Sequence, residues 1–341
     1  MKRLWLVDFL GIVIILLLLW NIRPRPRQLE ELAFKGKSNS TEGLTVQFLG
    51  NTNVLLDDGE TRILTDGFFS RPSAYTLVFG EVGPDSSVIK TCLKRAGITE
   101  LDAVIPVHSH FDHAMDAPVV ASLTGARLIG SSSTLNIGRG LNLPEDQMME
   151  APLNTFISIG KFEIMFIASK HWKYPDAEQR RRLLNQGIVK PLVPPASIFD
   201  YKEGISYSIL IKHEGTHIAI QGSAGYKKNA IPDFDADIQF LAIAGIELMD
   251  DNYNQNYQKH VVDAVTPEVI VPIHWDDFTV PLENGLKTTN LLVNLKYGSN
   301  LGQAFDIIER NNPEREIVVL PLWKKIPVKD LLSLSSNEIN Q

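Results

Sequence analysis

Short apolar runs separated by turns occupy the chain from residue 44 onward, and this pattern predicts strands. The runs LTVQFLG, NVLLDD and TRILTD predict three consecutive strands, with Asp58-Gly59 marking the second turn. Strands alternating with helices, with hairpins mixed in, indicate mixed sheets covered by helices. Further strands are predicted at 102–107, 127–129, 156–159, 162–168, 207–212, 217–221, 238–242 and 269–273, and helices at 87–96, 114–124, after 131, and at 253–264, 286–297 and 302–310.

The amino-terminal segment has a different pattern. Residues 4–20 are apolar apart from Asp8, and with their flanks they approach the roughly 20 residues that span a bilayer as a helix. Trp5 and Trp20 lie near the two ends, where indole rings favour the membrane interface. A cleaved signal peptide would end in a small-residue site, whereas this run continues into NIRPRPR. We therefore expect an uncleaved transmembrane anchor at residues 1–22.

Charges beside this segment leave its orientation open. Lys2 and Arg3 precede it, and Arg23, Arg25 and Arg27 follow it, so the positive-inside rule does not decide. The expectation is a single-pass protein of a bacterial inner membrane with its folded domain on the periplasmic side. The polar, Pro- and Gly-containing residues 23–43 predict a linker. The remaining predicted segments are a folded domain at residues 44–325 and a carboxyl-terminal tail at residues 326–341.

Composition restricts the chemistry. The chain has 341 residues and a net charge of −7, which argues against a general nucleic-acid binder because such proteins usually carry a basic face. Cys92 is the single cysteine, so an intrachain disulfide and a cysteine-rich zinc knuckle are both excluded. Any metal site must therefore be built from histidines and carboxylates.

Four potential metal ligands follow one predicted strand. They are His108, His110, Asp112 and His113, directly after the apolar run DAVIPV. Histidine and carboxylate together suit zinc and similar metals. In an extended segment, residues i and i+2 point to the same side, so His108 and His110 are expected to face one ion. This grouping is hard to explain by packing and predicts a metal site.

The His-x-His-x-Asp-His pattern resembles the signature of the metallo-β-lactamase superfamily, and the resemblance covers residues 44–325. It implies a mixed α/β fold, specifically a four-layer αββα sandwich. It also implies that His171 and His274, at the ends of FEIMFIASKH and VIVPIH, are ligands, and that Asp66 supports the site. The segments GNTNVLL, LTDGFF and VPIHWDDF are most similar to the branch of ascorbate-6-phosphate lactonase-like proteins and N-acylphosphatidylethanolamine phospholipase D.

The resemblance also implies a division of the ligands. His108, His110 and His171 would bind a first metal, and Asp112, His113 and His274 would bind a second. Many members of the superfamily carry a bridging aspartate where Ser223 stands here. One or two zinc ions are therefore expected, with iron and manganese as alternatives. Ser223 is expected to support the site or contact substrate.

The implied mechanism is hydrolysis by a metal-held hydroxide, with Asp112 as the catalytic residue that orients it. For Asp66, a purely structural turn carboxylate is an equal alternative. The expected substrate is an ester or phosphodiester of a small, lipid-like molecule. A lactone or a β-lactam is the alternative among hydrolases. Outside that class, a mononuclear iron dioxygenase, an electron-transfer protein or a metal-binding protein without catalysis also fits.

Residues 172–205 form a long segment after His171, rich in proline, arginine and aromatic residues. Such a segment beside a ligand predicts a lid or a pocket wall. A solvated helix with a few packed aromatic residues is the alternative. The candidate pocket residues are Trp172, Tyr174, Phe199 and Tyr201, with Arg180, Arg181 and Arg182 as candidate contacts for an anionic substrate. The remaining histidines, His213, His217 and His260, are expected at the surface.

Overall fold

Two mixed sheets carry the fold in the computed structural model, which describes residues 19–36 and 43–337. Within these residues each sheet has seven strands. In chain order the strands are β1 (Thr45–Phe48), β2 (Val54–Asp57), β3 (Arg62–Thr65), β4 (Ala103–Ile105), β5 (Arg127–Gly130), β6 (Met148–Glu150), β7 (Phe156–Ile159), β8 (Phe162–Ala168), β9 (Tyr207–His213), β10 (Thr216–Gln221), β11 (Ile238–Ala242), β12 (Val269–Ile273), β13 (Glu316–Ile317) and β14 (Lys325–Pro327).

The first sheet has the order β14-β1-β2-β3-β4-β5-β6 and the second has the order β13-β12-β11-β10-β9-β8-β7. In the first sheet β14, β1, β2 and β3 pair antiparallel, and β3 to β6 pair parallel. In the second sheet β7 to β10 pair antiparallel, and β10 to β13 pair parallel. Tight turns make the antiparallel pairs possible: Asp58-Gly59 joins β2 to β3, and Glu214-Gly215 joins β9 to β10.

Helices connect the parallel strands, and side chains cap several of them. Asp85 accepts hydrogen bonds from the backbone N–H groups of Ser87 and Val88 at the start of the helix Ser86–Ala96, and Gly97 ends that helix in the left-handed region. The helices are α1 (Gln28–Glu31), α2 (Ala74–Phe79), α3 (Ser86–Ala96), α4 (Phe111–Ala114), α5 (Ala117–Thr124), α6 (Ser132–Gly140), α7 (Ala177–Leu183), α8 (Asp251–Tyr257), α9 (Leu291–Tyr297), α10 (Leu301–Asn311) and α11 (Val328–Asn337).

One apolar core joins the two sheets. Phe48 of β1 belongs to the same buried cluster as Phe166 of β8 and Phe240 of β11. Val104 of β4 belongs to a second cluster, together with Val120 of α5. Burial of these side chains is the main stabilising contribution to a fold of this kind. The sheets are thereby fixed against each other, which fixes the loops at their strand ends.

The predicted membrane localisation is wrong. No helix within residues 19–36 and 43–337 is long and apolar enough to cross a bilayer. Residues 1–18 of the predicted anchor lie outside the described residues. The described end of that segment contacts the folded domain, because the carbonyl of Ile22 accepts a hydrogen bond from Leu291 N–H. The next residue, Arg23, pairs with Asp277 at 2.7 Å.

Segments predicted as linker and tail also pack on the domain. Leu29 and Phe34, within the predicted linker 23–43, are buried in the main core. The boundary predicted after residue 325 falls inside β14, which pairs with β1, and Leu331 of α11 is fully buried. A strand of three residues is too short to show an alternating pattern, which is why β14 was missed in the sequence.

Candidate metal centre

The predicted ligands come from loops at the ends of three strands. His108 and His110 follow β4, and His110 is the residue before α4, so Asp112 lies in the first turn of that helix. His171 follows β8 and His274 follows β12. The first sheet therefore presents the His108–His113 segment, and the second sheet presents the two later histidines.

His108, His110 and His171 form one group. The Nε2 atom of His108 lies 3.1 Å from Nδ1 of His110. The ring of His171 lies 4.8 Å from that of His108 and 4.6 Å from that of His110, measured between centroids. Nδ1 of His171 lies 2.6 Å from the carbonyl oxygen of Trp172, to which it donates, and this leaves Nε2 as a free acceptor.

Asp112, His113 and His274 form the neighbouring group. Nε2 of His113 lies 3.2 Å from Nε2 of His274. The Oδ2 atom of Asp112 lies 3.4 Å from the first of these nitrogens and 3.5 Å from the second. The rings of His108 and His113 are 3.9 Å apart between centroids, so the two groups adjoin. In each group the potential ligand atoms lie within 4.8 Å of one another.

Burial and mutual repulsion hold most of these imidazoles neutral. Burial lowers the pKa of His110 to about 4, against a weaker opposing effect of Asp112. Burial and the neighbouring histidines also lower the pKa values of His108 and His171 well below the usual value. Burial would lower the pKa of His113 too, but Asp112 and Asp66 outweigh it and raise that pKa. Neutral imidazole is the form that binds metals.

The donor set fits a metal ion. A neutral imidazole has one N–H and one lone pair, and the Nδ1–H of His113 faces the carboxylate of Asp66 at 2.8 Å. Its Nε2 lone pair therefore faces Nε2 of His274. In the adjoining group, Nε2 of His108 and Nδ1 of His110 lie equally close to each other. A cation satisfies such a set, and five imidazoles with one carboxylate suit zinc or a similar metal.

Asp66 links this centre to the strand beneath it. Its Oδ1 accepts a hydrogen bond from Val107 N–H at 2.8 Å, and its Oδ2 contacts both His113 and the hydroxyl of Thr52. Asp66 has a positive φ of 53°, which is uncommon for a residue other than glycine. The carboxylate thus holds the ring of His113 at one orientation.

Ser223 contacts the loop of His171. Its hydroxyl accepts a hydrogen bond from Trp172 N–H at 2.9 Å. Two residues on, Gly225 approaches the backbone of this loop so closely that a Cβ atom there would lie 2.1 Å from the carbonyl oxygen of Lys170. The segment 223–225 therefore positions His171 through the main chain.

Two of the four predicted pocket residues lie beside the ligands. Tyr174 stacks on His171 with ring centroids 5.1 Å apart, and Trp172 packs edge-on against Tyr174 at 5.2 Å. Phe199 instead lies under the guanidinium of Arg182, 3.4 Å from its ring centroid. Tyr201 is fully buried in an apolar cluster with Phe68, so it does not line an entrance.

The three arginines of this segment are engaged within it. Arg180 donates hydrogen bonds to the carbonyls of Tyr174 and Pro175, and Arg181 pairs with Glu178 at 2.5 Å. Arg182 stacks on Phe199, so all three arginines have partners within this segment. Their presence in the sequence therefore does not by itself indicate an anionic substrate. The predicted helical stretch exists as α7, and its basic side chains mainly stabilise the segment itself.

Glu203 supports the site and was missed in the sequence. Its carboxylate accepts hydrogen bonds from His171 N–H at 3.1 Å and from Asn185 N–H at 2.8 Å. Its carbonyl accepts a third from Ser109 N–H at 3.0 Å. Aromatic side chains were missed as well: Phe278 lies 6.2 Å from His274 and 6.0 Å from Phe111, between ring centroids. Several of their partners are distant in the chain, such as His171 for Glu203 and Phe111 for Phe278, so the local sequence does not indicate these contacts.

The prediction that the other histidines lie at the surface is wrong for two of them. His213 is buried and pairs with Asp58 at 2.9 Å. His260 is 8% exposed and stacks on Tyr226. His217 is half-buried and contacts the carbonyl of Asp235.

Parts of this chain are similar to known proteins. Residues 45–274 match a family model described as a β-lactamase superfamily domain. A metal-dependent hydrolase of Heliobacterium modesticaldum is 34% identical over 88 residues, which are 26% of this chain and 30% of the relative. An uncharacterized protein of Mycobacterium tuberculosis is 26% identical over 132 residues, 38% of this chain and 34% of the relative. The chain thus spans about a third of the length of these curated relatives.

Two solved structures cover most of this chain at a sequence identity of 12%. A possible metal-dependent hydrolase from Veillonella parvula has a TM-score of 0.48 and 12% identity, covering 84% of this chain and 100% of the other. An isothiocyanate hydrolase from Delia radicum gut bacteria has a TM-score of 0.47 and 12% identity, covering 83% and 98%. Similarities at this level do not bear on activity or substrate.

Proposed function

The chain belongs to the metallo-β-lactamase superfamily, and from this premise we propose that it is a metal-dependent hydrolase. The observation that carries the proposal is the pair of adjoining ligand groups, each with its potential ligand atoms within 4.8 Å. The four-layer αββα arrangement belongs to the same proposal. It is supported by α5, which packs on β4, and by α11, which packs on β12.

We assign His108, His110 and His171 to a first metal position and Asp112, His113 and His274 to a second. Zinc is the proposed metal because imidazole nitrogens and carboxylate oxygens are common zinc ligands. Bound metals of this kind polarise the scissile bond and lower the pKa of water towards neutrality.

The chain's own residues orient the reaction. Asp112 is the one carboxylate in the two groups, so it is the residue placed to hold a water proton and to pass it towards the leaving group. Asp66 fixes His113 through Nδ1, and Glu203 fixes the backbone of His171. Such outer contacts keep the ligand rings in one orientation.

The proposed substrate is a small ester, open-chain or cyclic, with an apolar group beside its carbonyl. Tyr174 stacks on His171 at one side of the centre, and Phe278 lies edge-on to His274 at the other. Both aromatic side chains are half-buried and favour apolar substrate groups. A phosphodiester comes second because Arg180, Arg181 and Arg182 already have partners within their own segment.

Metal content and hydrolysis measured on the same samples test this function. We expect about two zinc ions per chain in the full-length protein and cleavage of a p-nitrophenyl ester. His110→Ala should lose hydrolysis and metal, whereas His217→Ala, a half-buried histidine outside both groups, should keep both. Parallel assays on bis(p-nitrophenyl) phosphate, a γ-lactone and a chromogenic β-lactam rank the bond types. Absence of bound metal, or one iron without hydrolysis, would overturn the proposal.

A further inference from the structure

Asn51, in the turn between β1 and β2, contacts the backbone of two members of the second ligand group, Asp112 and His274. Its side-chain amide donates to the backbone carbonyl of Asp112 at 2.6 Å. Its own carbonyl accepts a hydrogen bond from His274 N–H at 2.8 Å. Asp112 lies in a loop of the first sheet and His274 in a loop of the second sheet. Asn51, which is buried, therefore connects the two loops that supply this ligand group.

A buried ion pair holds Asn51 in turn. The N–H of Asn51 donates to Oδ1 of Asp276 at 2.7 Å, and Oδ2 of Asp276 lies 2.7 Å from Nη2 of Arg71. Both charged side chains are fully buried. Separating the two side chains would leave an uncompensated charge inside the protein. The pair therefore keeps Asp276 in the position from which it accepts the hydrogen bond of Asn51 N–H. Arg71 also donates to the carbonyls of Asp277 and Val280, each at 3.3 Å.

The backbone geometry depends on this arrangement. Asn51 has a φ of 53° and His274 a φ of 57°, a region that residues other than glycine rarely adopt. Such conformations persist only where the surroundings enforce them. Gly50 leaves room for the ion pair, because a Cβ atom there would lie 2.4 Å from Nη2 of Arg71.

The first ligand group is held by other residues. His171 is fixed by the carbonyl of Trp172 and the carboxylate of Glu203, and Ser223 fixes the N–H of Trp172. The contacts of Asn51 described above reach the second group instead. A change at Asn51 should therefore affect the two groups unequally.

We propose that Asn51, held by Asp276 and Arg71, is a positioning residue that sets the distance between Asp112 and His274 and thereby the affinity of the second metal position. This inference rests on the proposed metal-dependent function. Its consequence is that the first position fills independently of Asn51, whereas the second requires it. Two metal affinities are thus controlled by two separate sets of residues.

Asn51→Ala tests the proposal, and Asn53→Ala is its matched control. Asn53 lies in the same turn, is equally buried, and makes two side-chain hydrogen bonds with the backbone of Phe68, at 2.7 and 2.8 Å. Metal-free full-length proteins are titrated with Zn²⁺ against a competing chelator, and with Co²⁺ to follow its absorption. We expect Asn51→Ala to weaken the second metal about 10–100-fold, the usual cost of losing an outer contact, and to leave the first within about twofold. Asn53→Ala should change neither.

Asn51→Gly serves as a second variant, because glycine adopts the positive φ of this position without strain and removes the same side-chain contact to the carbonyl of Asp112, while the buried ion pair stays complete. It should reproduce the selective loss, and it keeps the test valid if Asn51→Ala does not fold. Equal weakening of both metals, no weakening, or the same result for Asn53→Ala overturns the proposal. If the unmodified protein binds two metals and the selective loss is absent, only this inference fails. If the unmodified protein binds none, the proposed function fails with it.

Discussion

His113 is held from two opposite sides. Its Nδ1 faces the carboxylate of Asp66, and its Nε2 faces His274 and Asp112. A ligand histidine whose second nitrogen donates to a carboxylate has a fixed ring orientation and a more basic metal-binding nitrogen. The metal affinity of the second position should therefore depend on Asp66 although Asp66 does not belong to either ligand group.

Replacement of Asp66 by asparagine tests this dependence. Asp66→Asn keeps the size of the side chain but removes the charge that faces His113, so we expect the second metal to bind about 10–100-fold more weakly. The measurement is a Zn²⁺ titration of the metal-free protein against a chelator. Asp58→Asn is the control, because Asp58 also pairs with a buried histidine, His213, away from the centre. Equal affinities in the two variants would show that Asp66 is only a structural turn residue.

At the scale of elements, the strands that the sequence hides are short. β6 and β14 have three residues each and β13 has two, so they show no periodicity. β14 is recognisable only through its partners: it pairs with β1, and Lys325 Nζ lies 2.7 Å from Oδ2 of Asp57 on β2. Three strands at this edge are thus connected by a main-chain ladder and an ion pair.

The stability of this edge should depend on pH through Asp57. Burial alone would raise the pKa of Asp57, but the hydrogen bond and charge of Lys325, with the N–H of Gly59, outweigh it and lower that pKa. A lowered pKa contributes stability above the unfolded value, 3.8, and this contribution is lost as pH falls through the folded value. The unmodified protein should therefore exceed Asp57→Asn in free energy of unfolding by the largest amount near pH 6. This difference should decrease as the pH falls below about pH 4. Urea unfolding at a series of pH values measures it, and a difference that does not change with pH would contradict the assignment.

At the scale of the whole molecule, the two candidate ligand groups adjoin because two sheets share one core. The first sheet supplies His108, His110, Asp112 and His113, and loops of the second sheet supply the remaining two histidines. The signature is local, because its four ligands lie within the six residues 108–113, and their grouping is visible in the sequence. His171 and His274 were expected only through the resemblance to a family, since neither has a distinctive neighbourhood of its own.

The supporting residues could not be predicted because their partners are far apart in sequence. Asn51 and Asp276 are separated by 225 positions and are joined by a backbone N–H, which leaves no trace in composition or spacing. Tyr201 and His213 were misplaced for a related reason: a polar residue in a loop or beside a turn gives no sign of being buried. Burial of both depends on the packing of distant segments.

Anomalous diffraction from crystals of the zinc-loaded protein, recorded at the zinc absorption edge, tests the central claim most directly. The expected result is two adjoining anomalous peaks, one among His108, His110 and His171 and the other among Asp112, His113 and His274. Peaks elsewhere in the chain, or none at these six residues, would contradict the account of this centre.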